Sequence, residues 1–166
     1  MVLSLAVGAV AGCAGRPPAG ALQSGESVPH LRATAHDGTS VDLGDLGGKP
    51  TLVYFYPKDG TPGCTKEACA FRDVWDRYEA AGVRVVGVSG DDLESHRSFA
   101  AKHELPFLLV SDQDLTWAKA FGVNTTLRMH ARDSFLIAPD GTVAKVYRGV
   151  DPGVHADEVL RDATAL

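Results

Sequence analysis

Cysteine is scarce in this chain. Three in 166 residues are too few for the disulfide network that holds a small secreted scaffold together. Basic charge is scarce as well: Lys and Arg number 16 against 21 Asp and Glu, for a net charge of −5. No run of Lys or Arg forms a stripe, so nucleic acid is excluded as a partner. Long apolar runs are missing, because the uncharged stretch at residues 1–12 falls short of the roughly 20 residues that cross a bilayer. His30, His36, His96, His103, His130 and His155 show no close ligand spacing, which speaks against a metal and leaves the surface as their expected place. No motif calls for a cofactor. There is no internal repeat and no low-complexity segment beyond the N-terminal tract.

What is present fits one domain: 166 residues with 45% hydrophobic content can bury an adequate core. Residues 1–12 match the apolar core of a secretory signal, typically about 7–15 residues. Val10-Ala11-Gly12-Cys13 resembles the bacterial lipobox, in which small residues precede a cysteine that is lipidated and becomes the new N-terminus. No Lys or Arg precedes the apolar run. The resemblance implies a lipid anchor at Cys13 and a membrane-attached protein of the cell envelope facing the extracytoplasmic side, the alternative being a cytoplasmic one. Residues 13–27 shift to Gly, Pro, Ala and Ser, the composition of a linker. The folded domain is expected over residues 28–166.

Within it, strand and helix patterns alternate. Asp37-Gly38 between short segments suggests an N-terminal hairpin. Residues 52–56 and 107–110 form continuous apolar runs, the mark of strands buried on both faces, and residues 83–89 are expected as a further buried strand. Helices are expected over residues 64–81, from the Asp91-Asp92 cap to about His103, over 112–121, and over 155–165. Residues 134–138 and 143–147, joined by the Pro139-Asp140-Gly141 turn, must be antiparallel. The expected fold is α/β and thioredoxin-like: three layers, a central mixed sheet with helices on both faces, and the N-terminal hairpin.

The stretch Tyr56-Pro57-Lys58-Asp59-Gly60-Thr61-Pro62-Gly63-Cys64-Thr65-Lys66-Glu67-Ala68-Cys69 runs from a strand through a stiff turn into a helix. A helix N-terminus offers unpaired N–H groups and about half a positive charge, so Cys64 sits where a thiolate is favoured over a thiol and is a candidate nucleophile. Cys64, Ala68, Phe71, Trp75 and Tyr78 recur on one helical face, and Trp75 and Trp117 read as core. Cys69 lies about 140° around the helix from Cys64 and roughly 7.5 Å along it, beyond the roughly 7 Å Cα separation a disulfide tolerates. Pairing these cysteines requires the first turns to unwind. By spacing alone, Thr61 reads as a helix cap followed by Pro62, and Pro57 as a residue that stiffens the loop.

This segment resembles the active-site motif of the peroxiredoxins, and a second cysteine five residues on resembles their Q-type, or bacterioferritin-comigratory, branch. Val88-Ser89-Gly90-Asp91, Phe121-Gly122-Val123 and Arg132-Asp133-Ser134-Phe135-Leu136-Ile137 extend the likeness over most of the folded part. The resemblance implies that Cys64 is the peroxidatic nucleophile and Cys69 the resolving cysteine. It implies further that Thr61 presents a hydroxyl to thiolate and peroxide, that Pro57 shields the sulfur, that Arg132 lies beside Cys64, and that Glu67 orients Arg132. By position alone Glu67 would be a solvated helix carboxylate and Arg132 a residue at a strand end. The implied function is a thiol-dependent peroxidase, acting on hydrogen peroxide and organic hydroperoxides, recycled by a thioredoxin-like protein, and monomeric. A copper carrier on the same fold is disfavoured by the Thr61-Pro62-Gly63-Cys64 turn. A tethered thiol-disulfide oxidoreductase is disfavoured because its cysteines would stand three apart.

Overall fold

The computed structural model describes residues 19–166; residues 1–12 and Cys13 lie outside the described residues. In chain order the elements are β1 (Arg32–Thr34), β2 (Ser40–Asp42), β3 (Thr51–Phe55), α1 (Pro62–Asp73), α2 (Trp75–Ala80), β4 (Arg84–Ser89), α3 (Leu93–His103) and β5 (Leu108–Ser111), followed by α4 (Thr116–Phe121), β6 (Thr125–Thr126), β7 (Met129–His130), β8 (Asp133–Ile137), β9 (Val143–Arg148) and α5 (His155–Ala163). The central sheet runs β5-β4-β3-β8-β9. β3 pairs parallel with β4 and antiparallel with β8, so the mixed thioredoxin-like sheet and the β1–β2 hairpin are both present.

Every residue of β3 is buried, because the sheet is covered on both faces and β3 lies at its centre. Alternation along the strand then divides the core. Leu52 and Tyr54 face α1, α2, α3 and α5, packing with Cys64, Phe71, Tyr78, Phe99 and Val159. Val53 and Phe55 face the other way, toward α4 and the hairpin, with Trp117, Phe121, Phe135 and Val41. Each such large apolar side chain contributes about 1.5–3 kcal/mol on burial.

Three expectations change. The single helix over 64–81 is two helices that begin earlier, at Pro62, and break at Val74, whose φ of −114° and ψ of 19° leave the helical region. A β-branched residue is a weak helix former, and the break lets Trp75 stack on Tyr78 at 6.1 Å while remaining only partly buried. The linker ends sooner than residue 27. Ala21 and Leu22 are buried, and Leu22, Gly25 and Val28 donate backbone hydrogen bonds to Phe121, Val143 and Gly141. Gly122 makes that seat possible: its φ is +65°, and a Cβ there would stand 2.3 Å from Ala21 Cα. The histidines are not all on the surface either, since His96, His130 and His155 are buried.

Capping follows the sequence. The Asp92 carboxylate accepts from Ser95 N at 2.8 Å, and the buried Asp112 carboxylate accepts from Trp117 N and Ala118 N at 2.8 and 2.9 Å. The β6–β7 hairpin, which the sequence does not announce, turns through Leu127 and Arg128, both with positive φ and neither a glycine. Two-residue hairpin turns of this hand favour Asn-Gly, and left-handed backbone at other residues carries strain of order 1 kcal/mol or more. Replacing both exposed residues, Leu127→Asn with Arg128→Gly, should therefore stabilise the fold by about 1 kcal/mol, read as a raised urea midpoint; an unchanged or lowered midpoint would contradict that strain.

Candidate active site

β3 delivers the chain into residues 57–61, and α1 carries it away with Cys64 in its first turn. Cys64 is buried at 2% exposure. Thr61 stands at the N-cap with φ −72° and ψ 150°, but its side chain does not cap. The hydroxyl donates instead to Lys58 O at 3.1 Å, and the backbone carbonyl accepts from Thr65 N at 2.9 Å. The capping reading of Thr61 therefore fails in its side chain while its place at the helix start holds. Pro62 at N1 has no N–H to satisfy. Pro57 is half-buried in the same loop.

Arg132, immediately before β8, brings the sheet to the helix. Its Nη2 donates to Cys64 Sγ at 3.4 Å, and its Nη1 donates to Glu67 Oε2. Gly63 leaves room for the approach, since a Cβ there would lie 3.1 Å from Nη2. Glu67 is 1% exposed and is not the solvated carboxylate that its position alone would suggest. Its Oε1 finds no hydrogen-bond partner among the described residues. Burial pushes the Glu67 carboxyl up to about 7, against the opposing pull of Arg132. On Arg132 burial works against the charge, but Glu67 and Cys64 outweigh it and hold the group more firmly protonated.

A second layer fixes the loop itself. The Asp59 carboxylate accepts from Tyr56 OH at 2.7 Å and from Ser95 Oγ at 2.8 Å, and meets His96 Nδ1 at 2.8 Å. His96 Nε2 faces the Val110 carbonyl at 3.2 Å, and Asp59 N donates to Asp91 Oδ2 at 2.8 Å. Burial works against the Asp59 carboxylate, and hydrogen bonds from His96, Tyr56 and Ser95 more than offset it, leaving Asp59 below its usual range. The loop before Cys64 is thereby tied to α3, β4 and β5. Sequence reasoning missed Asp59 and His96; the one available signal was His96 placed a turn into the helix capped by Asp92. It also missed His155, whose Nε2 lies 2.9 Å from Ser134 Oγ and which burial, aided by Arg132 and Lys145, holds down at about 4.

Cys69 occupies the other side of α1, half-buried, with Sγ 3.9 Å from His103 Nδ1. Both cysteines are free thiols within one continuous helix, whose geometry sets Cα atoms five residues apart at about 8–9 Å. Among the described residues, no three His, Cys, Asp or Glu gather as a metal site would require.

A buried helix-start cysteine beside an arginine, on a thioredoxin-like sheet, describes a class of thiol enzymes, and residues 24–146 match the AhpC/TSA family. The chain is 43% identical over 140 residues to peroxiredoxin Q of Sedum lineare chloroplasts, covering 82% of this chain and 75% of the relative. It is 40% identical to a putative peroxiredoxin bcp of Coxiella burnetii, covering 84% and 97%. Among solved structures, peroxidoxin BcpB of Mycobacterium tuberculosis superposes with a TM-score of 0.81 at 31% identity, covering 87% of this chain and 98% of that one. Peroxiredoxin Q of Xanthomonas campestris gives 0.76 at 36%, covering 81% and 90%. The chain belongs to the peroxiredoxin Q/bacterioferritin-comigratory family. It is a thiol-dependent peroxidase.

The two perturbed groups near Arg132 give the site a pH signature. With Glu67 raised to about 7 from 4.5, the folded state holds more protons than the unfolded one between those values, so this group's contribution to stability falls as pH rises through that window. With His155 lowered to about 4 from 6.5, the unfolded state holds more protons, and stability rises with pH between about 4 and 6.5. The two slopes oppose each other in the wild type. Glu67→Gln removes one of them, so the stability of this variant should climb between pH 4.5 and 6.5 more steeply than that of wild type, by up to about 1.4 kcal/mol per unit, measured by urea unfolding. Parallel profiles would show that Glu67 stays ionised throughout.

Proposed function

We propose that Cys64 is the peroxidatic nucleophile and Cys69 its resolving partner; the observation that carries this reading is the Arg132 guanidinium held between Cys64 Sγ and the buried Glu67. The thiolate attacks the distal oxygen of hydrogen peroxide or an organic hydroperoxide. The O–O bond breaks, the departing oxide takes a proton to become water or an alcohol, and Cys64 becomes a sulfenic acid. Arg132, always charged, stabilises the thiolate and polarises the breaking bond. Glu67 fixes its orientation. Thr61 turns its hydroxyl toward the peroxide and Pro57 restricts access to the sulfur, roles supported by the family resemblance and by their places in the loop.

Cys69 then attacks the Cys64 sulfur, an S–S bond replaces the S–O bond, and water leaves. Since the two lie on different faces of α1, the first turns of the helix must open. Phe71, fully buried, keeps the remainder of α1 docked. A thioredoxin-like dithiol protein reduces the disulfide, and the enzyme works as a monomer. Cys64→Ser should abolish peroxide consumption, and Cys69→Ser should stop after a single turnover. Hydrogen exchange over residues 63–70 should rise sharply when the wild type is oxidised and much less in Cys69→Ser. Equal protection before and after, with a Cys64–Cys69 disulfide confirmed by peptide mapping, would show that the helix need not open.

The same reading includes an anchor. Val10-Ala11-Gly12-Cys13 and the Gly/Pro tract that follows support lipidation at Cys13 and attachment on the extracytoplasmic side of a membrane. Stable attachment takes more than one acyl chain. In a bacterial host the mature chain should begin at a lipidated Cys13 and partition into detergent; an intact Met1 with a free Cys13 in the soluble fraction, by mass spectrometry, would refute it.

A further inference from the structure

The contact between Cys69 and His103 has no part in the reaction of Cys64 with peroxide. Cys69 Sγ lies 3.9 Å from His103 Nδ1, with both residues half-buried where α1 crosses the end of α3. An arriving sulfur must be a thiolate to attack another sulfur, and an unassisted thiol, ionising near about 8.5, supplies only a few per cent of that form at neutral pH. We propose that His103 is the proton acceptor for Cys69 in disulfide formation. The inference rests on reading Cys69 as the resolving cysteine.

The surroundings favour the transfer in both directions of charge. His103 is the last residue of α3, at the end of the helix dipole that carries partial negative charge. Its ring is steadied edge-on by Phe99, 5.1 Å away between centroids. Its carbonyl accepts from Arg72 Nη1 at 2.8 Å, which holds a guanidinium close enough to Cys69 for the two to interact. That guanidinium also pairs with Asp73. The remaining charged groups about His103 are Glu104, its neighbour at the helix cap, and Lys102 and Asp59, which line with it a groove of about 220 Å³. The groove gives the proton a path to solvent.

The step balances without any outside reagent. Cys69 gives its proton to His103 Nδ1 while α1 is still intact. The thiolate leaves with the opening turn and attacks the Cys64 sulfenic sulfur, forming S–S and breaking S–O. The departing hydroxide takes up a proton, returned from His103 through solvent, and becomes water. His103 thus acts before the helix opens, at the only stage for which the structure shows it touching the sulfur.

The test uses the full chain, one equivalent of hydrogen peroxide, and stopped-flow tryptophan fluorescence with acid-quenched peptide mapping, across pH 6 to 9, on wild type and His103→Asn. The expected result is a disulfide-forming phase slowed about 10- to 100-fold at pH 7, with the deficit shrinking toward pH 9 and partly restored by added imidazole. The phase in which Cys64 is oxidised serves as the check that the variant is folded. A variant whose profile superimposes on wild type, or one slowed equally at every pH and indifferent to imidazole, overturns the proposal. If mapping of the wild type finds no Cys64–Cys69 disulfide, the assignment of Cys69 has failed, and the role of His103 falls with it.

Discussion

A single guanidinium joins the two halves of this site. Arg132 comes from the sheet, Cys64 and Glu67 from the helix, and the contacts at Nη1 and Nη2 fix how α1 sits against β8. Burying an ion pair rarely adds net stability, because the desolvation of both charges offsets their attraction. Here the carboxyl of Glu67 stays high despite its partner, so the pair is held by the surrounding fold more than it holds the fold. What the arrangement secures is a fixed positive charge at a buried sulfur.

The helix then has two incompatible duties. It must be closed for Cys64 to lie at its positive end beside Arg132, and it must be open for Cys69 to arrive. The protein separates these duties along the chain. The loop before Cys64 is tied by Asp59 to Tyr56, Ser95 and His96, and the helix beyond Ala68 is docked by Phe71. Between them Cys64 and Glu67 meet Arg132, the contact that opening has to break, and the break at Val74 separates α1 from α2.

Much of the fold could be read from apolar runs and caps: the buried strands, the hairpin, and the helix that Asp92 starts all lie within a few residues of expectation. The site was legible in a different way. Periodicity placed Cys64 on the buried face of a helix start, but only resemblance connected it to Arg132, 68 residues away. Position alone made Glu67 a solvated helix carboxylate, since nothing local records that an arginine from just before β8 will cover it. The misreadings share that origin. Thr61 obeys the rule for a cap, yet the nearby Lys58 carbonyl takes its hydroxyl. His96 and His155 looked like surface residues because their partners, Asp59 and Ser134, come from distant turns of the chain. The early start of the domain at Ala21 is invisible in a Gly- and Ala-rich tract, because what receives it is a missing side chain at Gly122.

That early segment sets where force enters the domain. It crosses the layer of α4 and β9, pinned by hydrogen bonds to Phe121, Val143 and Gly141, on the sheet face opposite the one that packs against Cys64. Tension applied through the N-terminus is borne first by this strap and by the sheet behind it. Helix α1 packs on the other face, so such a load reaches the turn that opens and closes only through the sheet and the Arg132 contact.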